Sequence, residues 1–171
     1  MTDVQASETV IGNTAPLRES CEGWALPSPF LLPIAVSVEA LDGYGHVNNA
    51  EYVRWLERIS WAHSEALGLG LEHYRAQDRG MAVHRHEIDY LASARLGDSL
   101  MLATWLVACD GRLSLTRRFQ LRRCSDGLTL LEARTRFVCI ELSSGRARRM
   151  PEAYRECYSA ALVSEDAASQ R

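Results

Sequence analysis

The stretch that decides the fold is Asp42-Gly43-Tyr44-Gly45-His46-Val47-Asn48-Asn49-Ala50-Glu51-Tyr52, where a strand-like run has just ended and the clearest helix begins. Gly43 and Gly45 let the backbone turn tightly. The carboxylate of Asp42 then stands just ahead of a helix start. Such a start presents unsatisfied backbone N–H groups and the positive end of the helix dipole. These donors can hold a carbonyl oxygen as it gains negative charge. A carboxylate facing them can attack the carbonyl carbon or activate a water. In outline this is an acyl-transfer site. The same residues also fit plain turn chemistry, with Asp42 as a turn residue or cap and His46 as a packed loop histidine. Physics alone favours the turn.

Downstream, the spacing predicts a helix over 49–67. Tyr52, Leu56, Ile59, His63 and Ala66 recur three and four residues apart, and Trp55 and Ala62 widen the stripe. Asn48 or Asn49 caps its start, Glu51 suits its first turn, and Gly68 and Gly70 end it. The helix is apolar on more than one side and is expected to be largely buried. Upstream, 30–39 reads as a strand, with Pro33 confining it to an edge.

Four further strands are expected at 81–91, 99–109, 112–123 and 128–142, separated by Gly97-Asp98, Asp110-Gly111 and Asp126-Gly127. Three hairpin-like junctions in series predict an antiparallel meander. Residues 151–162 start a short helix behind Pro151. The fold class is therefore α+β, a sheet of about five strands wrapped around one long central helix. Residues 1–27 read as a loose N-terminal tail with Trp24 and Leu26 docking on the domain. The domain is placed at 28–162, and 163–171 is a polar C-terminal tail.

At 171 residues the chain has the size of one domain, with 47% apolar and 24% charged residues. The net charge of -3 argues against a nucleic-acid partner, which would call for a basic surplus on one face. No apolar run reaches the roughly 20 residues of a membrane span. The first nine residues lack the pattern of a secretory signal, so a cytoplasmic location is expected. The five cysteines, Cys21, Cys109, Cys124, Cys139 and Cys157, form no CxxC pair and are expected as reduced thiols.

The segment Asp42-x-x-Gly45-His46-Val47-Asn48-Asn49-x-x-Tyr52, followed by Trp55-Leu56-Glu57, resembles the signature of the 4-hydroxybenzoyl-CoA thioesterase-like, or acyl-CoA thioester hydrolase, branch of the hotdog superfamily. Glu87-Ile88-Asp89-Tyr90-Leu91 and Ala94-Arg95-Leu96-Gly97-Asp98 resemble that family's second and third strands and the turn between them. The resemblance runs from about Phe30 to Tyr154. It implies that Asp42 is the catalytic carboxylate and that the backbone N–H of Asn49 polarises the thioester carbonyl. Gly45 would let substrate approach the backbone. His46 and Asn48 would shape the loop and touch substrate, and Tyr52 would pack the helix against the sheet or line the substrate site. Many members carry a second acidic residue two positions before the first; here that position is Ala40. Asp42 is left to act alone.

The resemblance further implies a homodimer or homotetramer with active sites at the protomer interface. The substrate is expected to be an acyl-CoA or acyl-carrier-protein thioester, with coenzyme A present only as part of the substrate and no metal or other cofactor. Alternatives are a hotdog acyl-CoA dehydratase or hydratase, which would use Asp and His together, and a non-catalytic acyl-CoA-binding protein.

Arg146, Arg148 and Arg149 follow the Gly145 turn and are the first candidates to hold the phosphates of coenzyme A. Arg117, Arg118, Arg122 and Arg123 could join them, although for each residue alone a solvated strand end or hairpin face is the favoured reading. His84 and His86 are expected on one strand face, at the surface or an interface. Trp55 and Trp61 read as core residues first and acyl-pocket residues second.

Overall fold

Tyr52, Trp55, Leu56 and Ile59 recur at helical spacing, and in the computed structural model all four are buried in helix α1, Asn49–Ala66. The structure describes residues 23–166. Those apolar side chains need a partner surface. It is one face of a five-stranded antiparallel sheet: β1 (Phe30–Ala35), β2 (Arg79–Tyr90), β3 (Ser99–Cys109), β4 (Ser114–Arg123) and β5 (Thr129–Glu141). Side chains alternate along a strand, so Leu100 and Leu102 of β3, Phe119 and Leu121 of β4, and Leu131 and Ala133 of β5 share the core with α1.

The strand order is β1-β3-β4-β5-β2. It corrects the meander. The junctions at 110–111 and 126–127 are hairpins, with Gly111 and Gly127 at positive φ. The junction at 97–98 is not one. Residues 91–98 carry the chain across the sheet, so that β3 pairs with β1 and β2 pairs with β5 at the far edge. Gly97-Asp98 is a genuine turn, but a turn fixes only local direction and not the strand that receives the chain.

Two short α-helices complete the described residues, beside a single 3-10 turn at Val38–Ala40. Helix α2, Leu71–Ala76, has no counterpart in the sequence reading; a single turn and a half is too short to show a period. Helix α3, Glu152–Ala160, starts behind Pro151 as expected. Its Tyr154 and Tyr158 are fully buried with Tyr74 of α2 in a second apolar cluster.

Both ends of the described residues pack on the domain. Trp24 and Leu26 pack on the outer sheet face against Trp105 and Ala103, and the Trp105 indole N–H donates to the Pro27 carbonyl. At the other end Val163 N–H donates to Leu106, and Glu165 pairs with Arg118 and Arg134. Residues 1–22 and 167–171, the remainder of both expected tails, lie outside the described residues, as does Cys21. No helix among the described residues is long and apolar enough to cross a membrane.

Candidate active site

The segment between β1 and α1 closes on itself. Leu41 and Val47 form an antiparallel bridge, Asp42 N–H donates to the His46 carbonyl at 2.7 Å, and Gly45 N–H donates to the Asp42 carbonyl at 3.0 Å. Gly45 has φ +74°, a left-handed conformation that a side chain would strain. Oδ1 of Asp42 accepts from Tyr44 N–H at 2.9 Å and from His46 N–H at 3.1 Å. The turn chemistry is therefore real. It occupies one carboxylate oxygen, and Oδ2 has no partner among the described residues. Asp42 and His46 are both half-buried.

The helix end of the loop is anchored donor by donor. Val47 N–H donates to Ala94 O at 2.9 Å, and Asn48 N–H donates to Ala40 O at 2.8 Å. The side-chain oxygen of Asn48 caps α1 by accepting from Ala50 N–H at 2.9 Å, and Glu51 N–H donates to Asn48 O. Between these, the Asn49 N–H meets no acceptor among the described residues. It is the donor the resemblance names for the thioester carbonyl. Ala40, two residues before Asp42, is buried, and its carbonyl accepts from the Asn48 N–H.

The other sequence candidates divide. Tyr52 is 3% exposed, and its hydroxyl accepts from the Ala94 N–H at 2.9 Å. That is a packing role, and Tyr52 has no open face for substrate. Asn48 is exposed, with its oxygen spent on the cap. Arg146, Arg148 and Arg149 are exposed beyond the far end of β5, where Arg148 pairs with Glu141 at 3.4 Å. Asn49 sits at the near end, its carbonyl 3.4 Å from the Tyr90 hydroxyl, and Tyr90 pairs with Leu131. From Leu131 to Ile140, which bridges Ala147, β5 spans about 30 Å at ~3.3 Å per residue. Within one chain the arginine cluster does not reach the Asp42 loop.

A cavity of about 400 Å³ lies between α1 and strands β2, β4 and β5, within the roughly 300–1,000 Å³ range of small-molecule sites. Val53, Glu57, Ser60, Trp61 and Ser64 line it along one face of α1, beginning one turn below Asn49. Trp61 thus lines the cavity while Trp55 is core. His86 also borders it, bonded through Nδ1 to Thr135 Oγ1 at 2.8 Å. A bulge between Val83 and Arg85 interrupts the regular alternation that would pair His84 with His86 on one face.

At the inner end stands a residue the sequence reading placed on a solvated face. Arg117 is 2% exposed. One guanidinium nitrogen donates to His63 Nδ1 at 2.9 Å and the other to Ser64 Oγ at 2.9 Å. Burial first, and the neighbouring Arg117 charge second, push His63 down to about 4. Burial lowers Arg117 to about 10, so it remains charged at neutral pH. The signal for its position was available: Leu115, Arg117, Phe119 and Leu121 alternate on the inward face of β4.

The chain has relatives. The model of the thioesterase-like superfamily matches residues 36–157. The long-chain acyl-CoA thioesterase FadM of Escherichia coli is 28% identical over 116 residues, covering 68% of this chain and 86% of FadM. The acyl-CoA thioesterase YbgC of Haemophilus influenzae is 27% identical over 128 residues, covering 74% of this chain and 92% of YbgC. Among solved structures, a 1,4-dihydroxy-2-naphthoyl-CoA thioesterase from Synechocystis superposes with a TM-score of 0.69 at 18% identity, over 77% of this chain and 96% of that one. The chain belongs to the thioesterase-like superfamily, and its sheet and long helix form the hotdog fold.

Proposed function

We propose that this protein hydrolyses acyl-CoA thioesters, with Asp42 supplying the carboxylate and the Asn49 N–H holding the carbonyl oxygen. The observation that carries the reading is the pair of free groups at the helix mouth: Oδ2 of Asp42 and the N–H of Asn49, whose neighbours Val47, Asn48, Ala50 and Glu51 all have their N–H groups taken. The positive end of α1 favours charge building on the oxygen. Both curated relatives are named acyl-CoA thioesterases, which favours coenzyme A over a carrier protein.

Two routes fit. Asp42 attacks the thioester carbon, the C–S bond breaks with release of the CoA thiolate, and water then cleaves the mixed anhydride. Or Asp42 takes a proton from a water that attacks the carbon directly. In a single turnover in oxygen-18 water, label found in the Asp42 carboxylate excludes the direct route, because it requires the anhydride.

The working unit we propose is a homodimer, alone or paired into a tetramer. β2 is a twelve-residue edge strand with no partner on its outer side among the described residues, and an edge of that length invites pairing. Antiparallel pairing of β2 with its copy would bring the partner's 146–149 segment toward this chain's helix mouth, which its own segment does not reach. Coenzyme A phosphates would then be held in trans.

A panel of acyl-CoA and acyl-carrier thioesters with free-thiol detection tests the activity. Thiol release from acyl-CoA, lost in Asp42→Asn, is expected. Release from carrier thioesters alone would move the substrate to a carrier protein, and no release from any thioester would overturn the reading.

A further inference from the structure

Arg117 is the only cation among the buried residues of the described chain. The next residue, Arg118, lies near the carboxylates of Glu132 and Glu165. Arg117 pairs with no carboxylate among the described residues. Its acceptors are His63 and Ser64, both uncharged, and the Ser64 hydroxyl in turn meets that of Tyr158 at 3.5 Å. Tyr158 contacts the Tyr74 hydroxyl, and burial raises Tyr158, so this end of the cluster stays protonated as well. Two of the five guanidinium N–H donors are used. A buried charge without a counter-ion is costly unless something anionic completes it.

The cavity shows where that anion would come from. Arg117, Ser64 and Tyr158 line its inner end, and Val53, Met81 and Phe137 line its apolar walls. From Asn49 at the mouth to Ser64 beside Arg117 the helix advances about 22 Å at ~1.5 Å per residue. Glu57 is the one carboxylate in the wall; it is exposed and lies about 10 Å up the helix from Ser64. A chain whose thioester sits at Asn49 would extend along this face and end at the guanidinium.

We propose that Arg117 receives a carboxylate at the far end of a long acyl group, so that the preferred substrates are thioesters of dicarboxylic acids rather than of plain fatty acids. The proposal rests on the thioesterase reading for the direction of the chain. The anion pocket itself stands on the buried, uncompensated guanidinium.

The test compares hexadecanedioyl mono-CoA with palmitoyl-CoA. Wild-type protein is expected to favour the carboxylated chain in kcat/KM by roughly tenfold or more, the effect of one charge-assisted pairing, and Arg117→Met should abolish or reverse the preference. Binding without chemistry is read by titration calorimetry with the monomethyl ester of sebacic acid against methyl decanoate. Only the half-ester should lose affinity in Arg117→Met. Arg117→Lys, which keeps the charge and loses the fork, and Ser64→Ala supply the comparison if Arg117→Met does not fold. Equal or better hydrolysis of palmitoyl-CoA, with equal binding of the two esters, would overturn the proposal and leave the hydrolase intact. Half-ester binding at Arg117 without hydrolysis of any thioester would keep the pocket and overturn the hydrolase. Failure of both assays would overturn both.

Discussion

The hydroxyl of Tyr52 accepts a hydrogen bond from the Ala94 N–H at 2.9 Å, and Ala94, itself fully buried, accepts the Val47 N–H at 2.9 Å. The end of the Asp42 loop therefore hangs from α1 through a residue on neither element. Tyr52→Phe keeps the ring and strips the Ala94 N–H of its acceptor. A buried orphan donor costs about 1–3 kcal/mol. Urea unfolding should show a loss in that range, and kcat should fall along with it as the loop slackens. A variant as stable as wild type would mean that Ala94 finds another acceptor.

Asp42 holds the turn and carries the proposed chemistry with different oxygens, so two substitutions separate the roles. Asn keeps an oxygen that can accept from Tyr44 and His46, but it can neither attack nor take a proton. Asp42→Asn should melt within a degree or two of wild type while kcat falls by about 10²–10⁴-fold, the usual weight of such a group. Asp42→Ala removes the oxygen that accepts both N–H groups. It should lose activity to the same extent and also stability, by about 0.5–1.5 kcal/mol, because water reaches the freed N–H groups. Near-normal hydrolysis by Asp42→Asn would sink the assignment.

Much of this region could be read from residue order alone, for local reasons. A period of three and four residues in Tyr52, Leu56 and Ile59 specifies a helix and its inner face, and Gly45 marks a left-handed turn. The strands expected at 99–109 and 112–123 follow from the runs between Gly97-Asp98, Asp110-Gly111 and Asp126-Gly127, and the second begins two residues later, at Ser114. What could not be read is non-local. The pairing of β2 with β5 depends on where the chain goes after residue 91, and no residue in the Gly97-Asp98 turn encodes that. By charge alone Arg117-Arg118 reads as a solvated pair; only the alternation with Leu115 and Phe119 points Arg117 inward. The separation of Arg146, Arg148 and Arg149 from Asp42 along β5 also required the topology.

Asn48 tests a distinction between capping and substrate contact. Its oxygen accepts the Ala50 N–H, and loss of a cap typically costs about 1 kcal/mol. Asn48→Ala should lower stability by roughly that amount, whereas Asn48→Asp, which can still cap and suits the helix dipole, should retain it. KM for acyl-CoA in Asn48→Asp should stay close to wild type if the side chain serves the helix. A large rise in KM at unchanged stability would show instead that the amide N–H₂ touches substrate.

The inner cluster predicts a pH dependence through His63. Its ring lies stacked on Phe30 at 4.7 Å, and Nδ1 faces the Arg117 guanidinium at 2.9 Å, so it must stay neutral to accept that bond. Its value in the folded chain is about 4 against an ordinary 6.5. Between those values the unfolded chain binds a proton that the folded chain refuses, so stability falls as pH falls through the window and levels off below it. Solvent reaching the part-buried ring limits the loss to on the order of 1 kcal/mol. His86, also lowered by burial, contributes with the same sign, so the comparison must be made between variants. His63→Gln offers an amide oxygen to Arg117 and does not titrate. Urea midpoints measured from neutral pH to pH 4 should drop less steeply for His63→Gln than for wild type. Equal slopes would mean that the protonation of some other group sets the acid stability of the fold.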